Sequence, residues 1–276
     1  MIKAEVAHTG IVEIADLPYY TEGPAVDKQG NIFFTTLTGG TICRIDGRGK
    51  MKQWAVSDCP NGQVILPDGE HLVCDSKAAA IRRFSADGQF IKDEVNGFCA
   101  NTEVHTPNDL VAGTFGNVFF TDSARHTGKV FMLAGDGRQY ILADMLDYPN
   151  GLVVSQDGKW LFVAESYQNR IIKIDITKPW QDGRDIRVVA NLPRHTSGRE
   201  QDNLPDGLTL DHDGNIWVAH YGMQSVHQYS PLGIHLSSVN TYLPLTSNLV
   251  FANRHALVVT GGFAEPGPGK VLKIFI

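Results

Sequence analysis

The chain has 276 residues, with 24 basic and 30 acidic side chains giving a net charge of −6. With no Lys/Arg cluster or aromatic platform, that balance speaks against nucleic acid as a partner, and no apolar run approaches a membrane span. At this length roughly 75% of the unfolded surface is buried on folding, so neither a metal nor a disulfide is needed to hold the chain together.

The N-terminal stretch MIKAEVAHTG lacks the apolar core of a signal peptide, so the expected location is the cytoplasm. The segment AEVAHTGIVEIAD (4–16) has strand character and belongs to no repeat. Beyond it one pattern recurs. Glu22-Gly23, Asn61-Gly62, Asn108-Asp109, Asn150-Gly151 and Asp206-Gly207 are each followed, seven residues after the second member, by Gly30, Gly69, Gly116, Gly158 and Gly214. Asn248 opens a sixth, degenerate copy. After each later glycine comes an apolar run ending in a small or polar residue, such as IFFTT (32–36), VFFTDS (118–123) and IWVAHY (216–221). The copies begin 39, 47, 42, 56 and 42 residues apart. That period belongs to a propeller blade of four antiparallel strands.

The last copy ends at KVLKIFI (270–276) after only three strands. The strand it lacks is available at the other end of the chain. The expectation is an all-β, six-bladed propeller, one domain over 1–276, with the N-terminal strand closing the ring and removing a sheet edge. Cys43, Cys59, Cys74 and Cys99 show neither metal-binding spacing nor a secretory context, and read as inert, mostly buried thiols.

Strands one and two of a blade are antiparallel neighbours, so the start of one and the end of the other share an end of the blade. Glu22, Asn61, Asn108, Asn150, Asp206 and Asn248 should therefore ring one mouth of the central channel. Thr36, Asp75, Asp122, Glu165, His220 and Gly261 should form a second ring outside it. Asn or Asp before Gly is also ordinary turn chemistry, but Glu22 at the same position is not. A Glu, an Asp and several Asn amides converging on one axis make an all-oxygen cage. Hard oxygen donors of this kind select Ca²⁺ or Mg²⁺, with Mn²⁺ or Zn²⁺ possible and structural zinc disfavoured.

These motifs give the chain its likeness. Glu22-Gly23-Pro24, Asn108-Asp109, Asn150-Gly151 with VAES (163–166), and Asp206-Gly207 with NIWVAHYG (215–222) resemble the gluconolactonase/regucalcin family of calcium-dependent six-bladed propellers over residues 21 to 262. The resemblance implies a metal-dependent lactonase with Glu22, Asn150 and Asp206 as metal ligands. Asn108 would be a fourth ligand or a substrate contact. Thr106 stands where some sugar-lactone members carry Arg, and Asp122 in FFTDS is similar to the drug-responsive lactonase branch.

The chemistry expected is opening of a small-molecule lactone by attack of water on a metal-polarised carbonyl, with Asp206 or Asp122 as general base. His220 is a candidate substrate contact or proton shuttle, or else a space-filler beside Trp217 and Tyr221. No G-x-S-x-G elbow supports a covalent serine route. A phosphotriesterase-like hydrolase on the same cage, and a non-catalytic binding propeller with a structural metal, remain alternatives. A strictosidine-synthase-like propeller is disfavoured by Glu22 and Asp206. The two longest connections, 98–107 and 191–205, should arch over the metal mouth together with the loop at 123–129 and select the substrate.

Overall fold

The computed structural model describes residues 10–177 and 185–276. It is a six-bladed β-propeller, each blade a four-stranded antiparallel sheet. The innermost strands are Glu22–Val26, Pro60–Ile65, Pro107–Ala112, Pro149–Val154, Leu204–Leu210 and Leu245–Asn253. The second strands are Ile32–Thr35, His71–Asp75, Val118–Asp122, Trp160–Glu165, Ile216–Tyr221 and Ala256–Gly262. These second strands are the core. They read as near-continuous apolar runs because both faces are covered by neighbouring blades, and Phe34, Phe120, Val163, Val218 and Val258 are all fully buried.

Side chains from adjacent blades interdigitate between the sheets. Phe119, Val130, Leu161, Val163 and Ile172 pack blade three against blade four, and Trp217, Val226, Leu257, Val259 and Leu272 pack blade five against blade six. The ring closes as expected. Gly10–Leu17 pairs antiparallel with Gly269–Phe275 to complete the last blade. Residues 4–9 of the expected closing strand lie outside the described residues. None of the described helices is long and apolar enough to cross a membrane.

Every innermost strand slips by one residue in register at the same place: between Glu22 and Ala25, Pro60 and Gln63, Pro107 and Leu110, Pro149 and Leu152, Pro205 and Leu208, and Thr246 and Leu249. The Asx-Gly pairs are thus β-bulge devices within strands, which re-aim a side chain, and not the turns that Asn-Gly usually marks. Gly151 shows why the second member is small. A Cβ there would collide with the backbone of Asp206 and Gly207 in the next blade, so the glycine lets inner strands converge at the axis.

Candidate metal and substrate site

At the end of the ring where the innermost strands begin, the bulges aim Glu22, Asn61, Asn108, Asn150 and Asp206 into one cavity of about 250 Å³. Five of the six expected inner-ring residues are therefore together. Asn248 is not among them. It lines a second cavity of about 220 Å³ further along the channel, and its amide donates to Asp109 Oδ2 at 3.2 Å. Asp109 occupies the bulge position that is Gly in blades one, two, four and five, and so adds a third buried carboxylate near the axis.

The electrostatics of the cavity are those of an acid-rich site without a counterion. Burial pushes the Glu22 carboxyl up to about 8, and the charge of Asp109 adds to the shift, although Gly23 N donates to Glu22 Oε2 at 2.9 Å. Asp206 is raised well above the usual carboxylate range, by burial first and then by the charge of Glu22. Asp109 is raised to about 6 by burial. The amide oxygens of Asn61 and Asn150 are buried with no donor, an arrangement that folded proteins rarely tolerate. Asn150 Nδ2 lies 3.4 Å from Ser166 Oγ, so its amide nitrogen is held and its oxygen is left over.

Two crowded carboxylates beside two orphaned carbonyl oxygens are the donor set of a hard divalent cation, and these residues fit one. Among the described residues, no three His, Cys, Asp or Glu side chains gather as a metal-holding group. Any cation held here would rely on the amides.

The second ring does something else. Asp122 is buried and does not line the cavity. Its Oδ1 accepts from Thr106 N at 2.6 Å and His105 N at 3.1 Å. Asp75 likewise accepts from Ser57 Oγ and Asp58 N, and Glu165 from Asp147 N and Arg170 Nε. In each blade the carboxylate ties down the connection entering that same blade. Thr106 is part of this tether and does not reach the cavity, whereas Asn108 does. His220 is fully buried behind the wall, its Nδ1 3.1 Å from His227 Nε2. Burial, and then His227, push His220 well below the usual imidazole range. Its neighbour Tyr221 lines the cavity instead.

The walls were not foreseen from the sequence. Tyr20, Tyr148, Tyr167 and Tyr221 surround the opening, with Glu265 from the loop between the last blade's second and third strands. Tyr20 and Tyr148 each stand two residues before a bulge residue, a spacing that could have pointed to them. Gln201 and Leu204 represent the connection at 191–205, but none of residues 98–107 lines the cavity. Phe98–Cys99 and Thr102–Glu103 form a small hairpin instead, and Cys99 and Val104 pack into the core between blades two and three. In the loop at 123–129, Arg125 stacks 3.6 Å above Tyr167 and pairs with Asp147.

Residues 15–262 match the model of the SMP-30/gluconolactonase/LRE-like region. The chain belongs to that family. This family member is 29% identical over 281 residues to lactonase drp35 of Staphylococcus aureus, covering 95% of this chain and 84% of that one. A solved gluconolactonase of Xanthomonas campestris superposes with a TM-score of 0.81 at 25% identity, covering 98% of this chain and 91% of the other. The calcium-binding protein regucalcin of Agrobacterium tumefaciens shares the fold at a TM-score of 0.78 and 17% identity, covering 97% and 93%. The cavity of this SMP-30/gluconolactonase-like chain is walled by four tyrosines together with Glu265.

Proposed function

We propose that the protein is a divalent-cation-dependent lactonase acting on a small lactone, with Ca²⁺ as the favoured cation. The observation that carries this is the convergence of Glu22 and Asp206 with the unpartnered amide oxygens of Asn61 and Asn150 in one cavity of a chain whose relatives include lactonases. Glu22, Asn150 and Asp206 would hold the cation. Asn108 completes the set or binds the substrate. When bound, the cation polarises the ester carbonyl and offsets the negative charge that develops on its oxygen.

Asp206 is the base we favour, because it lines the cavity while both oxygens of Asp122 face backbone N–H groups. Its carboxylate removes the proton from the attacking water and then returns it to the alkoxide of the opened ring. Tyr20, Tyr148, Tyr167 and Tyr221 pack on the lactone faces and exclude bulk water. The phenols of Tyr148 and Tyr20 stay protonated, since burial raises Tyr148 to about 12 and Tyr20 well beyond its ordinary value. All four cysteines are free, which suits a reducing cytoplasm.

The test is chelation and replacement. EDTA-treated protein should lose hydrolysis of δ-gluconolactone and other small lactones, and regain it with Ca²⁺. Asp206→Asn should lower both cation affinity and kcat, the latter by roughly 10² to 10⁴. Full turnover in the stripped protein, or wild-type kcat in Asp206→Asn at saturating cation, would refute the mechanism.

A further inference from the structure

The inference concerns Glu265, and it rests on the lactonase reading of the cavity. Glu265 sits in the loop at 263–268, outside both polar rings of the propeller, yet its side chain lines the same cavity as Glu22 and Asp206. Tyr221 Oη donates to Glu265 Oε1 at 3.0 Å. No other hydrogen-bond donor reaches this carboxylate among the described residues, so Oε2 is left to the cavity.

The loop that carries it is pinned. Tyr20 N donates to Pro266 O at 2.8 Å, and Phe263 N to Pro268 O at 3.0 Å. Gly267, at φ +155°, is so close to Pro18 that a Cβ would collide with its carbonyl. The carboxylate is therefore presented by a fixed element. The side chain is solvent-exposed at the cavity's edge, but the backbone that carries it is held in place.

The charges around it all run one way. The cavity is lined by three carboxylates and no Lys, Arg or His. Arg125, stacked on the lining residue Tyr167, pairs with Asp147, and Arg199 and Lys270 pair with Asp202 and Glu13. Arg194 and Arg199 line a separate cavity of about 120 Å³ that shares only Tyr167 with the site. A divalent cation held by Glu22 and Asp206 cancels their two charges and leaves that of Glu265 uncompensated.

We infer that Glu265, oriented by Tyr221, is a specificity-determining residue that makes the site select neutral lactones and turn away those carrying a phosphate or carboxylate. The mechanism is electrostatic exclusion at the entrance, with Oε2 free to accept a hydroxyl hydrogen from a neutral substrate. A carboxylate against a phosphate dianion at a distance of several ångströms, in a partly screened rim, is worth on the order of a tenfold preference or more.

The experiment uses the full chain with Ca²⁺ supplied, and reads kcat/KM for δ-gluconolactone and for its 6-phosphate. Wild type should prefer the neutral probe by at least about tenfold. Glu265→Gln should narrow that ratio about tenfold, and Glu265→Arg should narrow it further or invert it. Tyr221→Phe, which frees the carboxylate to swing, should fall between wild type and Glu265→Gln. A ratio near one in wild type, or one unchanged in both Glu265 variants, would overturn the proposal while leaving the lactonase reading intact. If neither probe is turned over by any variant, the lactonase reading falls. Calorimetric binding of the corresponding lactam and its 6-phosphate then decides on Glu265 by the same ratio.

Discussion

Replacing Glu22 by Gln removes one charge from the cation site with almost no change of shape. The Glu22 carboxyl, ordinarily at 4.5, is pushed to about 8 in the cation-free cavity. Below that value it holds a proton, which a cation must displace. Cation affinity should therefore climb with pH and level off only above about 8. Each unit below that costs at least about tenfold, so binding should be at least about tenfold weaker at pH 7 than on the plateau and at least about a hundredfold weaker at pH 6. On the plateau, one carboxylate charge about 4 Å from a cation in a partly buried site attracts it by roughly 4 kcal/mol per unit of cation charge, and desolvation of the buried carboxylate offsets several kcal/mol of that. Glu22→Gln should then weaken Ca²⁺ binding by on the order of 10² or more.

The assay is calorimetric titration of chelator-treated protein with Ca²⁺ at pH 6, 7 and 8, in two buffers of different ionisation enthalpy. Below pH 8 wild type should release between one and two protons per cation, because Asp206 is raised as well. Glu22→Gln should release one fewer. The same shift sets stability. A carboxyl raised in the folded state contributes stability that is complete below its ordinary value and is lost as pH rises through the folded one. Cation-free protein should consequently melt lower at pH 8 than at pH 5, and Ca²⁺ should erase the difference. Equal affinity in wild type and Glu22→Gln, with equal proton counts, would show that Glu22 does not face the cation.

Asp122→Ala leaves the backbone N–H groups of His105 and Thr106 without their acceptor. It should cost about 2 to 4 kcal/mol and lower Tm by roughly 4 to 15 °C by calorimetry, with kcat unchanged in the folded fraction; a loss of kcat with Tm intact would restore Asp122 as the base. Deleting residues 1–17 removes the strand paired with Gly269–Phe275 and exposes the edge of the last blade. Thermal stability should drop sharply, and a truncated protein melting like full length would refute ring closure.

The architecture was legible because a blade cannot bury its faces alone. Six copies of one pattern imply six sheets stacked on one another, and three strands in the last copy imply that the missing one comes from the other end. Glu22, Asn61, Asn108, Asn150 and Asp206 could be placed in one cavity for the same reason. Each stands at the same position in its repeat, and the antiparallel pairing of strands one and two brings all those positions to one end. Three things could not be read. Asn248 shares that position and its amide bears on Glu22, but it does not line the cavity and also donates to Asp109, because blade three alone puts a carboxylate where most other blades have glycine. The segment 98–107 is long enough to cover the mouth, yet it folds into a hairpin whose Cys99 and Val104 find a hydrophobic cleft between blades. Glu265 lies on the last blade's loop between strands two and three, which is longer than the same loop in the other blades, so periodicity says nothing of it.

The second ring shows the limit of repeat reasoning most clearly. Asp75, Asp122 and Glu165 are as periodic and as acidic as the inner ring, and on charge alone they read as an outer tier of the metal site. What separates the tiers is where the oxygens point. A one-residue bulge turns each inner-strand side chain to the axis, while the regular end of strand two sends its side chain back to the incoming connection. Backbone N–H groups there satisfy the carboxylates, and accordingly Asp75 sits below the usual carboxylate range, in spite of burial, through the bonds donated by Ser57, Ala78, Cys59 and Asp58. Glu22 and Asp206, buried to a similar depth, have too few such donors and are displaced upward. The downward shift of Asp75 against the upward shifts of Glu22 and Asp206 thus separates a carboxylate the fold satisfies from two it does not. Those already satisfied by the fold hold the scaffold, and those the fold leaves unsatisfied are the ones a cation would complete.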